Sequence, residues 1–425
     1  MGAEKVRDRV PSTGKRTQPQ REGAQSTKGT SVMHPKTRSE HESNASFETT
    51  CIHVGEDRMA YEGAAVPPIF QTSTFIYPEA SEFSHHGAAD NPHWDYTRVR
   101  NPTTAILEAK LAHLEHASWA RAFGSGMGAI SAAISTCVRA GTHVVCTAHC
   151  YGPTRTLLDE TFGKFGVATT YVEGCNPDDY IHAIRPETAL VYLESPTSAT
   201  FEVPEIRPIT NAARARGIRT ILDNSWASPY FQNPLVLGCD LVVHSATKFI
   251  GGHSDVVAGA VVGLDSTLKA GLMREAELLG AVLDPFAAWL LIRGLRTLRL
   301  RMEQHQKSGL AVAQALATHP KILQVNHPGL RVHPQYDVAQ RQLRGFPGLF
   351  SFALADQSGE AARQFLDRLR LFHIGVSWGG HESLAIEMPS NLGAPPDGLR
   401  LIRMHVGLEA TDDIVADVVQ ALEGT

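Results

Sequence analysis

Between His143 and Ser245 the chain alternates short apolar runs with longer stretches whose apolar residues recur every three to four positions. HVVCT (143–147), VATTYV (167–172), ALVYLE (189–194), IRTILD (218–223) and DLVVHS (240–245) are rich in β-branched and aliphatic residues. Runs of this kind predict strands buried on both faces, as in a parallel sheet covered by helices. GPTRTLLDETFGKFG (152–166) and PEIRPITNAARARG (204–217) predict intervening helices, the second closing on Gly217 as helix C-termini often do. Alternation of this type implies a doubly wound α/β domain.

The texture changes after about residue 290. Residues 287–319, AAWLLIRGLRTLRLRMEQHQKSGLAVAQALATH, read as one long helical stretch. ILQVNHP (322–328) and LFSFAL (349–354) read as strands, and AARQFLDRLRL (361–371) as another helix. That mixture predicts a smaller C-terminal α+β domain over 291–425, after a large α/β domain over 101–290. A chain of 425 residues exceeds one typical core of about 100–200 residues, so more than one domain is expected.

Residues 1–45 are polar and nearly free of large apolar side chains, so they cannot bury a core and are expected to be disordered. They lack the apolar centre of a secretory signal. Gly2 is followed by Val6 where a myristoylation signal has Ser or Thr. Glu4, Asp8 and Glu22 oppose an organelle transit peptide, and Met33 is an alternative start.

A net charge of -5 gives no electrostatic reason to expect nucleic acid or an anionic membrane as partner. No apolar run reaches the 18–20 or so residues of a membrane span. Six cysteines without a CxxC pair are no disulfide framework and suggest reduced thiols in a cytoplasmic protein. Cys146, His149 and Cys150 lie close together, but no second ligand cluster accompanies them.

Ligands of open parallel sheets bind beyond the carboxyl ends of the strands, and polar residues gather there. Tyr151 follows HVVCTAHC, Glu194 ends ALVYLE, Asp223 ends IRTILD, and SATKFIGGHSD (245–255) follows DLVVH. FGSGMGA (123–129) precedes a small-residue helix, a turn that offers backbone N–H groups to a phosphate. Gly124, Gly126 and Ala129 also fit the nicotinamide-dinucleotide fingerprint, which needs an acidic residue after the next strand. HVVCT is followed by Ala148 and His149, and the dinucleotide reading weakens. A phosphate turn, a strand-end Asp and a lysine after Ser/Thr suit pyridoxal phosphate, which asks for an amine, a carboxylate at its ring nitrogen and phosphate donors. Ser245 and Thr247 would hold the phosphate, Lys248 would form the Schiff base, and Asp223 would keep the ring nitrogen protonated. Gly251 and Gly252 would let the backbone turn close to the cofactor.

From YTRVRNPTTAILEAKLAHLE (96–115), GSGMGAI, DNSWA, SATKFIGGHSD, SWGGHESL and LIRMHVGLE, in that order, residues 48–424 resemble the Cys/Met-metabolism pyridoxal-phosphate enzymes. The resemblance implies fold type I: a mostly parallel seven-stranded sheet in the large domain, plus the smaller C-terminal domain. It implies a homotetramer of intimate dimers, in which the arm at 46–100 carries Tyr96 and Arg98 to the neighbouring subunit's cofactor phosphate. Gly126 and Met127 would give amides to that phosphate, and Tyr151 would stack on the ring. Arg403, Ser377, Trp378 and Tyr96 would contact an amino-acid substrate, Arg403 through its carboxylate; Ser377 would position that carboxylate or Lys248.

Within the family DNSWA, SWGGHESL and GLRTLRLRMEQHQKSGLAVA look most like the bacterial cystathionine β-lyases. Pro153 stands where methionine γ-lyases carry a cysteine, and Ser198 where many γ-class members show an asparagine. YTRVRNPTT is closer to the γ-class, and His381 replaces a common tyrosine. The resemblance thus implies β-elimination of L-cystathionine to homocysteine, pyruvate and ammonia, with Lys248, Tyr151 and Asp223 as the catalytic set. The alternative is γ-elimination or γ-replacement.

Overall fold

Seven strands build the larger sheet: β1 (Trp119–Phe123), β2 (His143–Thr147), β3 (Ala168–Val172), β4 (Thr188–Glu194), β5 (Arg219–Asp223), β6 (Leu241–His244) and β7 (Gly259–Gly263). The computed structural model describes residues 45–84, 93–388 and 398–424, so the polar tail expected at 1–45 lies outside the described residues except for Ala45. The spatial order is β1-β7-β6-β5-β4-β2-β3. Only β7 runs antiparallel to its neighbours, and the sheet is mostly parallel. The apolar runs at 143–245 form its five-strand centre and far edge. WARAF and GAVVG complete it, although neither reads as a strand by pattern, one interrupted by Arg121 and the other bounded by glycines. Arg121 is nevertheless buried, its guanidinium donating to the carbonyls of Val99 (2.7 Å) and Arg98 (2.9 Å). That contact ties the end of the N-terminal arm to the sheet edge.

Alternate residues of each strand supply different cores. Val242 and Val262 face a cluster with Leu107 and Leu111 of α1 (Pro102–Leu114). Val243 and Val261 face Ile130 and Ile134 of α2 (Gly126–Cys137), and α3 (Ile206–Arg214) buries Ile206 and Ile209 against Val191 and Leu193. Burial on both faces explains the continuous apolar runs. The helix predicted over 152–166 forms as one stretch of α-, π- and 3-10 turns, Gly152–Thr156, Leu157–Phe162 and Gly163–Phe165.

The single helix expected over 287–319 is two: α4 (Pro285–Leu295) and α5 (Leu298–Ala317). The break follows Gly294, where a Cβ would come within 2.5 Å of the Ile250 carbonyl. Arg301 of α5 takes the Gly294 carbonyl through Nη2 at 2.7 Å, capturing an acceptor that a continuous helix would use. A second, five-stranded sheet joins β8 (Ile322–Asn326), β9 (Leu349–Leu354), β10 (His373–Ile374), β11 (Leu384–Glu387) and β12 (Ile402–His405) in the order β10-β11-β12-β9-β8. The α5 helix, α6 (Gly359–Arg368) and α7 (Thr411–Glu423) pack Val312, Phe365 and Ile414 on Phe350, Phe352 and Met404. Among the described residues no helix is long and apolar enough to cross a membrane.

Candidate active site

The carboxyl ends of β2, β4, β5 and β6 open into a cavity of about 280 Å³ lined by Gly126, Met127, Tyr151, Glu194, Asp223, Ser245, Thr247, Lys248 and Trp378, among others. Nine residues separated by up to 252 positions in sequence therefore meet where a parallel sheet is expected to bind its ligand.

One wall is the start of α2. Ser125 caps it, its hydroxyl accepting the Gly128 N–H at 2.9 Å, which leaves Gly126 and Met127 in the first turn, where amides have no intrahelical acceptor. A Cβ at Gly126 would lie 2.8 Å from Ser245 Oγ, so only glycine lets this helix end approach the β6 loop so closely. Thr247 shapes that loop by exchanging hydrogen bonds with Ala258, accepting its N–H (2.9 Å) and donating to its carbonyl (3.1 Å). Two amides at a positive helix end beside two hydroxyls form a cradle for a phosphate.

The floor is Asp223. Ser225 donates to its Oδ1 through both N–H (2.9 Å) and hydroxyl (2.6 Å), and accepts the Ser245 N–H at 2.6 Å. Burial raises the Asp223 pKa, while the Ser225 bonds and the charges of His244 and Lys248 pull it back. A buried carboxylate with so little compensation suits a cationic ring nitrogen. Together with the phosphate cradle and the amine opposite, this donor set fits pyridoxal phosphate.

Lys248 reaches across from the other side. Its Nζ donates to Ser377 Oγ at 2.9 Å and sits 5.1 Å from the Trp378 ring centre. Burial, then the charge of Arg403, lowers its pKa to about 8, so a sizeable share of the amine is neutral near physiological pH. Arg403, buried on β12, donates to the Val376 carbonyl one residue before Ser377; burial lowers its pKa to about 10, and it keeps its charge. Tyr151 is held by its own N–H, which donates to Glu194 Oε2 at 2.7 Å. Burial first, then Asp223 and Glu194, raise its pKa, and the phenol stays protonated at neutral pH.

Tyr96 and Arg98 are absent from this cavity. Tyr96 is exposed, bridged to Thr74, and Arg98 donates to the Glu277 carbonyl at 3.0 Å while lying over the Tyr96 ring. Gly251 and Gly252 meet protein atoms: a Cβ at Gly251 would lie 3.0 Å from the Val256 side chain and 3.1 Å from the Ala246 carbonyl of the same loop, and Gly252 is constrained by α5. Gly252 has φ +71°, and a Cβ there would overlap the Arg301 guanidinium, whose Nη1 donates to the Phe249 carbonyl at 2.6 Å. His381 stands at the surface beside Glu382. His149 pairs with Glu202 at 2.7 Å, while the Cys146 and Cys150 sulfurs approach each other at 3.7 Å.

Several groups are given no site role by the sequence. Behind Asp223, the buried Glu115 accepts from His244 Nε2 (2.7 Å), Asn224 (2.8 Å) and Asn233 (3.1 Å), joining residues over a hundred positions apart. Trp226 lines the cavity with Nε1 donating to the Leu349 carbonyl at 2.9 Å. Glu194 and Ser198 also line it and are bonded to each other; the place of Glu194 at a strand end was a legible signal.

The sequence profile of the Cys/Met metabolism PLP-dependent enzymes matches residues 48–423. An L-methionine gamma-lyase of Fusobacterium nucleatum is 39% identical over 392 residues, 88% of this chain and 97% of that protein. A cystathionine beta-lyase of Lactococcus lactis is 37% identical over 388 residues, 89% of this chain and 99% of that protein. The crystal structure of metB from Corynebacterium glutamicum matches with a TM-score of 0.84 at 35% identity, covering 89% of this chain and 98% of that one.

Proposed function

The chain belongs to the Cys/Met metabolism PLP-dependent enzymes, and from that premise we propose that it is a carbon–sulfur lyase acting by β-elimination on L-cystathionine. The family and the fold type I neighbour make pyridoxal phosphate the cofactor. When bound it supplies an electron sink for negative charge at the substrate's Cα. In this reading Gly126, Met127, Ser245 and Thr247 hold its phosphate, Asp223 holds the proton on its ring nitrogen, and Lys248 holds it covalently.

Arg403 binds the substrate carboxylate; its guanidinium is already oriented by the Val376 carbonyl. Once the substrate's own amine took its place on the cofactor, the released Lys248 amine, its pKa lowered to about 8, would remove the Cα proton. Tyr151, kept neutral by burial and its acidic neighbours, gives a proton to the departing thiolate. The observation offered for β-chemistry is the placement of Lys248 Nζ on the Ser377–Trp378 loop, bonded to Ser377 Oγ at 2.9 Å and 5.1 Å from the indole centre. An amine held at one locus suits a reaction with a single proton abstraction at Cα. A γ-elimination also requires proton transfer at Cβ. The β-lyase-like DNSWA and SWGGHESL segments, with Trp226 and Trp378, support the same choice.

A second reading is γ-chemistry, favoured by the slightly higher identity to the L-methionine gamma-lyase. Incubating the pure holoenzyme with cystathionine, cysteine, methionine and O-acylhomoserines, and identifying the keto acid, separates the two. Pyruvate and homocysteine from cystathionine are expected; 2-oxobutyrate would replace the first reading with the second. We also propose a cytoplasmic homotetramer in which Tyr96 and Arg98 serve the neighbouring subunit. Exposed apolar side chains on the arm, Met59 and Ile76 among them, support that assembly.

A further inference from the structure

Two carboxylates, not one, face the cavity floor. Glu194 and Asp223 end adjacent parallel strands and are register partners, Glu194↔Asp223, so their side chains leave the same face of the sheet. Both are buried and both line the cavity. A ring nitrogen offers one positive charge, and two neighbouring buried carboxylates do not both ionise beside it.

The hydrogen bonds of Glu194 leave room for the protonated form. Its Oε2 faces a donor that can only donate, the Tyr151 N–H. Its Oε1 faces Ser198 Oγ, a hydroxyl that can equally accept. One oxygen facing an obligatory donor and the other facing a hydroxyl that can turn to accept is a geometry that accommodates an undissociated acid.

We propose that Glu194 stands in the working enzyme as a neutral carboxylic acid, donating to Ser198 Oγ and accepting the Tyr151 N–H, so that Asp223 alone carries negative charge at the floor. Glu194 is then a positioning residue with two effects. It fixes the Tyr151 backbone without competing for the ring nitrogen, and it turns the Ser198 hydroxyl proton outward as a donor into the cavity. The groups facing Glu194 agree. Asp223 on β5, Tyr192 on its own strand, and Cys150 and Tyr151 after β2 are acidic or neutral. Burial and then Asp223 push Glu194 up to about 8. A carboxyl raised in the fold contributes most while it is protonated, and that contribution fades as pH climbs toward the folded value.

This inference rests on the cofactor site proposed above, and the test keeps the two apart. Holoenzyme of the wild type, Glu194→Gln and Glu194→Ala is assayed from pH 6 to 10 for cofactor dissociation constant, thermal midpoint and kcat/KM. Gln reproduces both hydrogen bonds of the neutral acid and cannot ionise. The wild type should lose cofactor affinity and thermal stability as pH rises from 6 to about 8, an alkaline loss that is complete near the folded value and levels off beyond it. Glu194→Gln should lack that alkaline loss and stay within about tenfold of wild-type kcat/KM at pH 7, while Glu194→Ala, leaving the Tyr151 N–H unpaired, should fall by about a hundredfold. A Gln variant as impaired as Ala at pH 7, or one sharing the wild-type alkaline loss, would overturn the proposal. If Glu194→Ala does not fold, the comparison of wild type with Gln still decides. Wild-type protein that takes up no pyridoxal phosphate would count against the cofactor site itself.

Discussion

Removing the charge of Lys248 should stabilise the cofactor-free fold at neutral pH. The drop of its pKa from 10.5 to about 8 means that holding the ammonium form in the folded chain costs roughly 3 kcal/mol at about 1.4 kcal/mol per pH unit. Lys248 is partly exposed, and solvent screening trims this to roughly 2 kcal/mol. Lys248→Met forfeits the bond to Ser377, worth about 1 kcal/mol. It keeps an aliphatic stem against Trp378 and exchanges the ammonium–indole contact for a sulfur–indole contact of similar size, about 0.3–1.5 kcal/mol. The net gain is about 1 kcal/mol, or about 1–2 °C for a fold of this length.

The sign with pH is the sharper part. A lysine whose folded pKa is depressed leaves the unfolded chain with more bound protons between about pH 8 and 10.5, so the wild type gains stability as pH rises through that window. The advantage of Lys248→Met should therefore be present at pH 7 and gone near pH 10. Paired thermal melts of the two cofactor-free proteins at both pH values measure it. A variant less stable than wild type at pH 7, or a difference that does not move with pH, would refute the claim that Lys248 is held as a destabilised, readily deprotonated amine.

The loop behind the lysine makes a second expectation: Gly252→Ala meets a left-handed backbone and the Arg301 guanidinium. Roughly 1–2 kcal/mol of backbone strain plus roughly 1–3 for the disturbed Arg301 bonds should lower the melting midpoint by several degrees and weaken cofactor binding; a midpoint unchanged from wild type would show that the loop is not braced by α5. For the arm, Tyr96→Ala and Lys248→Met proteins, each inactive, are dissociated, mixed and reassembled. If Tyr96 serves the neighbouring subunit, each mixed dimer has one complete site and about a quarter of the wild-type activity returns; no recovery would place Tyr96 in its own chain's site.

The legible parts of this chain were those whose physics is local. Strands β2 to β6 announce themselves because both faces of each are buried, and Asp223, Lys248 and Tyr151 were found because strand ends are where such sheets bind. What escaped was set by distant partners. Gly252 looked like a concession to a ligand because nothing near it in sequence reveals Arg301, 49 positions on, filling the space where its Cβ would stand. The 287–319 helix kept its periodicity through Arg296 and Thr297, and only the lysine loop packed on Gly294 shows why it breaks. Arg121 concealed β1 because a buried arginine is paid for by the Val99 and Arg98 carbonyls, which no pattern of apolar residues encodes.

The lysine loop gathers these distant constraints. Lys248 begins the FIGG turn that Arg301 of α5 pins through the Phe249 carbonyl and, by its bulk, at Gly252. Two residues later Ser254, itself at φ +57°, donates to Glu382 Oε1 at 2.6 Å, in the same loop that carries Ser377 and Trp378. Gly379 closes against the lysine from above, where a Cβ would lie 2.9 Å from Lys248 Cα, and its N–H donates to His405 Nε2 at 3.1 Å. His405 is buried beside Arg403 and Lys248, and its pKa is lowered to about 4 by burial first, so it stays neutral and can accept that bond throughout the working pH range. The lysine backbone is thus held from both sheets at once, and Ser377 takes the amine. A base anchored this way loses part of its orientation entropy during folding and not at each turnover, and this is the physical reason for expecting Lys248 to serve one proton position well, as the proposed β-elimination requires.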